Sequence, residues 1–415
     1  MRLSVATLSA KEVASVVFEP TDSVYWLQEQ ISHFVRLPRL RQRLVHKGSM
    51  LTPSTSLACA GVHDGDTLNL VIMPPHVFLT ASSNGVVKLW NAEAGECMKT
   101  LEGHSTLLTS ATFSPDGTAV LTSSADGTVK TWSVETGKCL QTFQGHHGAV
   151  VSATFSANGA VVLAIYSDST AKIWKVSTGE CVRTLSGYSG AVCPATFSAN
   201  GEAVLAASTD GSVNIWNVET GECSQTFQGH QGPVIAATFS ADSALAITAS
   251  CDGTAKIWST HTGQCIGTLV GHDGAVLSAS FSVDGRFALT SSCDGTLKIW
   301  SIRTGECKHT LGHRGALPYT TFSADGKAVL SFNMAIPTDA ADDGAAKIWS
   351  TDTGQCMQTL THGSCRVVLA TFSADGVAAL TTASDGTTKV WDAQTGKCHA
   401  TISNTDHVSR AVFAP

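Results

Sequence analysis

Tryptophan recurs in this chain with a fixed period. Beyond Trp26 it falls at Trp90, Trp132, Trp174, Trp216, Trp258, Trp300, Trp349 and Trp391, 42 residues apart except for one interval of 49. A cysteine follows each of these seven residues later, at Cys97, Cys139, Cys181, Cys223, Cys265, Cys307, Cys356 and Cys398. Phenylalanine makes a third column, at Phe113, Phe155, Phe197, Phe239, Phe281, Phe322, Phe372 and Phe413. A period in the low forties sustained over most of a chain means an array of equal units, not one continuous core.

One unit can be read directly. Residues 149–155 form an apolar-rich run closed by the turn Ser156-Ala157-Asn158-Gly159. Residues 161–165, 170–174 and 181–185 follow, separated by turns around Asp168 and Thr178-Gly179. Short strands punctuated by Gly, Asn and Asp make a four-stranded meander. A lone meander cannot cover its own faces, so eight of them should stack radially and close without exposed edges. The fold class expected is mainly β, an eight-bladed propeller over residues 76–415, with a separate domain before it. The first unit lacks an innermost strand, and the last leaves residues 408–413 over, with Phe413 in the phenylalanine column. The C-terminal strand should therefore complete blade 1 and close the ring.

These units resemble WD40 repeats. Blade 2 carries the pattern most fully, with Gly103-His104, Phe113-Ser114-Pro115-Asp116-Gly117, Ser124, Asp126 and Trp132. Only Trp391-Asp392 has the literal Trp-Asp pair. Complete sets are His104/Ser124/Asp126/Trp132, His230/Ser250/Asp252/Trp258 and His272/Ser292/Asp294/Trp300. Such residues look catalytic, but the resemblance implies a buried structural relay: carboxylate to imidazole, imidazole to serine hydroxyl, hydroxyl to indole. Each buried polar group needs a partner, and a nucleophilic site is needed once, whereas three copies in a ring argue for architecture. Other blades depart from the pattern. Asn84 stands for the aspartate in blade 1, Tyr166 for the serine in blade 3 and Tyr188 for the histidine in blade 4; blade 8 has Ala383 for the serine and a displaced His362.

No column extends into residues 1–73. Residues 3–8 and 13–19 alternate as a hairpin should, and Thr21 or Asp22 is placed to cap a helix over about 23–35. Val24, Leu27 and Ile31 would be its apolar face, Leu37-Pro38 its end, and residues 43–46 and 67–73 further strands. With Met1-Arg2-Leu3, Glu19-Pro20-Thr21-Asp22, Arg41-Gln42-Arg43-Leu44-Val45, Gly48 and Asp66-Thr67-Leu68-Asn69-Leu70-Val71, this segment resembles a ubiquitin-like β-grasp, a small α+β domain. Met73-Pro74-Pro75 replaces the terminal Gly-Gly, so conjugation chemistry is not implied. The resemblance instead implies an apolar docking patch at Leu8, Val45 and Val71. Arg36, Arg39, Arg41, Arg43 and Lys47 form a basic cluster nearby, expected to be a solvated face, with docking of an acidic partner surface as the alternative.

Composition narrows the function. The chain is 14% charged with net charge −7, and residues 76–415 hold 19 of the 26 Lys and Arg but 27 of the 33 Asp and Glu. An acidic propeller argues against direct nucleic-acid or anionic-membrane binding. No apolar run is long enough to span a bilayer, and the N-terminus lacks a signal-peptide block. Thirteen cysteines with no C-x-x-C pair and no signal fit reduced thiols in the cytosol or nucleus and no zinc site. Cys251 and Cys293 precede the turn aspartates of adjacent blades and are expected to be packed and inert. Walker, zinc-protease and G-x-S-x-G motifs are absent, so neither cofactor nor small-molecule substrate is expected.

Positions that vary between repeats should carry specificity. On that argument the expected partner-binding residues of the propeller loops are His147, Tyr166, Tyr188 and Arg314, with Met334 and Ile336 in the extra length of blade 7. The function expected is a non-enzymatic scaffold whose propeller loops and β-grasp patch bind separate proteins. Ubiquitin-like domain plus propeller also resembles the Notchless-type ribosome-assembly factors, and a ubiquitin-pathway substrate adaptor is the other alternative.

Overall fold

The computed structural model describes residues 1–7, 12–35, 41–51, 55–73, 76–145, 148–185, 195–312, 318–333, 344–403 and 407–415. The chain divides into two compact units, Met1–His76 and Val77–Pro415.

In the first unit five strands and one helix follow in order: β1 (Arg2–Thr7), β2 (Glu12–Val17), α1 (Val24–Val35), β3 (Gln42–His46), β4 (Ser49–Met50) and β5 (Thr67–Ile72). The sheet order is β2-β1-β5-β3-β4, with β1 and β5 parallel at its centre. Period-two alternation sends Leu3, Val5, Leu44, Leu68 and Leu70 to one face, where α1 covers them with Val24, Leu27 and Ile31. Each such fully buried aliphatic side chain contributes about 1.5–3 kcal/mol. The cap of α1 is Ser23, whose Oγ accepts the Trp26 N–H at 3.1 Å. Asp22, one of the two expected caps, turns back instead and accepts the Glu19 N–H at 2.7 Å.

In the second unit the described residues form eight four-stranded antiparallel sheets. Blade 5 is representative: Val234–Phe239, Leu245–Ser250, Ala255–Ser259 and Cys265–Leu269 run from the innermost to the outermost strand. Between blades 4 and 5, Leu205, Val213, Ile215 and Phe227 of one meet Val234, Ala237 and Trp258 of the next in one apolar cluster. The stability of each blade is thus shared with its neighbour.

Two register features recur. Trp258 pairs with Cys265 and Ile257 with Gly267, so Ile266 is a β-bulge residue left outside the ladder. The same bulge follows every column cysteine and pushes the next side chain outward: Leu140, Ile266 and Met357 are exposed large apolar residues. In blade 1, Val408–Phe413 pairs antiparallel with Val77–Ser82, Phe413 opposite Phe78 with their rings edge-on at 6.1 Å. This C-terminal strand contacts the innermost strands Leu108–Phe113 and Val367–Phe372 on either side of it.

Candidate functional site

The recurring polar residues converge inside the blades. In blade 2, His104 Nδ1 lies 3.0 Å from Asp126 Oδ2 and His104 Nε2 lies 2.7 Å from Thr122 Oγ1. The Trp132 indole N–H donates to the same Thr122 oxygen at 2.8 Å. Blades 5 and 6 repeat this through His230/Thr248/Asp252/Trp258 and His272/Thr290/Asp294/Trp300. The expected serines are therefore corrected to threonines two residues earlier. A register shift between Ser123 and Ser124 turns Ser124 toward the loop, where its hydroxyl donates to Leu107 O at 2.9 Å. Ser250 and Ser292 likewise donate to Gly232 O and Gly274 O, both at 3.1 Å. Each serine oxygen also accepts the backbone N–H of its aspartate, so it holds the turn and leaves the relay to threonine.

Electrostatics fixes the direction of the relay. Burial depresses the His104, His230 and His272 imidazoles, against the pull of their aspartates, so they are neutral near pH 7. Burial alone would raise the Asp126 carboxyl, but hydrogen bonds from the Thr128 hydroxyl, the Ser105 and Thr128 N–H groups and His104 outweigh it and bring it to about 2. A neutral imidazole next to a carboxylate carries its proton on Nδ1, leaving Nε2 as an acceptor. The order is then indole N–H to threonine oxygen, threonine O–H to Nε2, and Nδ1–H to carboxylate. The glycine before the histidine matters too: at φ +151°, a Cβ on Gly103 would sit 3.1 Å from Trp132 Cη2.

Departing blades keep part of the relay. Trp90 donates to Thr80 at 2.8 Å and Trp349 to Ser331 at 2.7 Å. In blade 8 the displaced His362 still reaches Thr381 Oγ1, 2.7 Å from its Nε2, while its Nδ1 meets Thr387 Oγ1 at 2.9 Å. The Thr387 hydroxyl then donates to Asp385 at 2.7 Å, so one hydroxyl is inserted between ring and carboxylate. Burial, with Lys389 nearby, lowers His362 to about 4.

Comparison with known proteins agrees with this geometry. The ubiquitin family matches residues 3–75, the first β-propeller of IFT122 matches 68–259, and the WD domain, G-beta repeat, matches 263–301 and 354–392. The chain is a WD40-repeat propeller with an N-terminal ubiquitin-like domain. Among solved structures, the computationally designed Ika8 protein is 29% identical, with a TM-score of 0.65, over 75% of this chain and 91% of that one. None of the curated proteins matches it. WD40 and ubiquitin-like domains serve generally as protein-interaction scaffolds and are typically non-catalytic.

The WD40 surface differs from expectation at Tyr166. Its side chain is 1% exposed within the cluster between blades 2 and 3, and burial pushes its phenol up to about 12. A residue at the inward serine position stays inward whatever its size, so Tyr166 is a core residue and not a docking residue. His147, Tyr188, Arg314, Met334, Ile336 and Leu8 lie outside the described residues. Val45 and Val71 are half-buried on the outer face of the ubiquitin-like sheet, and Val45 pairs with the exposed Met50. Met50 was not among the expected patch residues, although its place opposite Val45 follows from the Lys47-Gly48 turn. Nearby, Arg41 donates to Met73 O at 2.8 Å, and the nearly buried Arg43 donates to Gln42 O at 3.0 Å, so neither is simply solvated.

Cys251 and Cys293 are exposed, contrary to the expectation of inert packing, because they stand on tight turns beyond the strand ends. The eight column thiols are exposed as well. Among the described residues no His, Cys, Asp and Glu cluster could hold a metal, and no helix is long and apolar enough to cross a membrane.

Proposed function

We propose that this protein is a non-enzymatic adaptor in which the propeller and the ubiquitin-like domain engage separate protein partners. The observation that carries this reading is the closure of the three His-Asp pairs. Each imidazole is 1% exposed and spends both nitrogens on neighbours within its own blade. The groups best suited to general acid–base work are thereby committed to holding the frame. Apart from the column cysteines, exposed positions such as Met98, Leu140, Lys308 and Met357 differ from blade to blade, as a display surface requires. The apolar outer face of the ubiquitin-like sheet, with Val45, Met50 and Val71, supports a second docking site.

The test is affinity purification of the full-length protein against a Val45→Asp/Val71→Asp variant. Loss of one subset of partners, with the propeller-bound subset retained, is the expected result. An unchanged partner list would remove the docking role of this face, and turnover of a substrate by the purified protein would remove the non-enzymatic reading.

A further inference from the structure

Blade 6 breaks the repeat at several positions that meet in one place. A cleft of about 640 Å³ is lined there by Arg286, Phe287, Arg303, Glu306 and Lys308. Elsewhere the position of Arg286 holds Thr118, Ala160, Glu202, Ala244 or Val377, and a second cation, Lys327, only in blade 7. That of Arg303 holds an acid in four blades (Glu93, Glu135, Glu219 and Asp352). Lys308 is the bulge residue of its outermost strand, where five blades expose Met98, Leu140, Val182, Ile266 or Met357. Phe287 replaces smaller aliphatic residues such as Ala203 and Ala328. In a propeller with excess acid, three cations and one aromatic ring replace the repeat residues together.

Geometry makes the cations converge. Lys308 Nζ lies 4.7 Å from the Phe287 ring centroid and Arg286 Cζ lies 5.4 Å from the same centroid. Two like charges over one ring repel each other, and cation–π attraction offsets only part of that cost. Among the lining residues one carboxylate, Glu306, stands against these two cations and Arg303. Asp284 is committed to its own turn, accepting the Ser282 hydroxyl at 2.6 Å and the Arg286 N–H at 3.0 Å. Asp352 is exposed and pairs with Lys308 at 3.7 Å. Glu306 lies on the turn into the outermost strand, and among the described residues Arg286 and Arg303 make no ion pair, though Arg286 is near enough to help lower the Asp284 carboxyl.

We propose that this blade 6 cleft binds a carboxylate-rich peptide segment of a partner protein, with the Arg286 and Arg303 guanidinium groups and the Lys308 ammonium taking the carboxylates and Phe287 forming the floor. Guanidinium forks suit carboxylates, and a docked acid relieves the repulsion over the ring. The inference rests on the adaptor reading and gives one partner of the propeller its chemistry.

The test is fluorescence anisotropy of the full-length protein with a labelled glutamate-rich peptide and its glutamine counterpart. Expected are binding of the glutamate peptide alone, weakening with added salt, and a loss of about tenfold or more in Arg286→Glu/Arg303→Glu. Lys138→Glu/Lys175→Glu, which makes the same charge change on exposed positions of blades 2 and 3, should leave binding intact. Equal binding of both peptides, equal loss in both double variants, or capture of a phosphoserine peptide but not the glutamate peptide would each overturn the proposal. Retention of partners by the blade 6 variant in affinity purification would sink this site while leaving the adaptor reading standing.

Discussion

The Trp132 indole N–H ends on the Thr122 hydroxyl at 2.8 Å, and the same oxygen sits 2.7 Å from His104 Nε2. One threonine thus serves a buried donor and a buried acceptor at once. Thr122→Val keeps the volume and strands both partners, at a cost of about 2 kcal/mol or more. Thr122→Ser should recover most of that, because blade 7 already uses Ser331 in this role. Thermal denaturation of the three proteins decides it; a valine variant melting with the wild type would show that the relay is dispensable.

Acid should loosen the ring from two groups in the same direction. The folded state holds His104, His230 and His272 below the usual 6.5, and Asp126, Asp252 and Asp294 at about 2 against the usual 3.8. In each case the unfolded chain takes up protons more readily than the folded one. Stability is therefore full above about pH 6.5, declines below it as unfolded imidazoles protonate, and declines again from 3.8 toward 2 through the carboxyls. A melting temperature that rises on acidification from neutral pH would contradict the neutral-imidazole assignment.

How much of this was legible in the sequence depended on whether the deciding geometry was local. The strands were legible because alternation and turn residues are properties of neighbours. The identity of the relay hydroxyl was not. Thr122 and Ser124 share a strand and its parity, and only the cross-strand shift between Ser123 and Ser124 sends the serine away. Tyr166 departs from the serine of its column, which suggests a surface role, whereas its position is the buried end of a strand. The blade 6 cations were in plain view as departures from their columns. Their meeting is not legible there, because Arg286, Arg303 and Lys308 are brought together only by the meander. The same distinction applies to the cap of α1: Asp22 and Ser23 are adjacent, and which one faces the first turn is set by the Glu19 N–H that draws Asp22 back.

Removal of residues 408–415 should leave Val77–Ser82 with an unpaired edge on its inner side. That edge belongs to a buried strand, with Leu79 and Ala81 fully enclosed. The deletion also withdraws Phe413 from Phe78 and the contacts with the innermost strands on both sides. An opened ring exposes both backbone groups and apolar area, so the truncated protein should melt lower and less cooperatively and associate through the free edge. Circular dichroism melting with light scattering reads both; an unchanged melt would mean that the other blades hold the ring without this strand.

The column thiols give a test of the outer edge. Cys139 illustrates the local structure: its Sγ faces Gln141 O at 3.6 Å and Thr142 Oγ1 at 3.7 Å, but the residue stays exposed because the bulge at Leu140 lifts the strand outward. Equivalent bulges follow Cys181 and Cys265, so the thiols share one environment around the rim. A thiol reagent should therefore label these positions in the folded protein at rates close to those in denaturant, with Cys365, which is half-buried, lagging. Peptide mapping after brief labelling identifies the sites. If the column cysteines reacted only on unfolding, the outermost strands would have to be covered in solution, and the bulged edge could not be the free surface described for each blade.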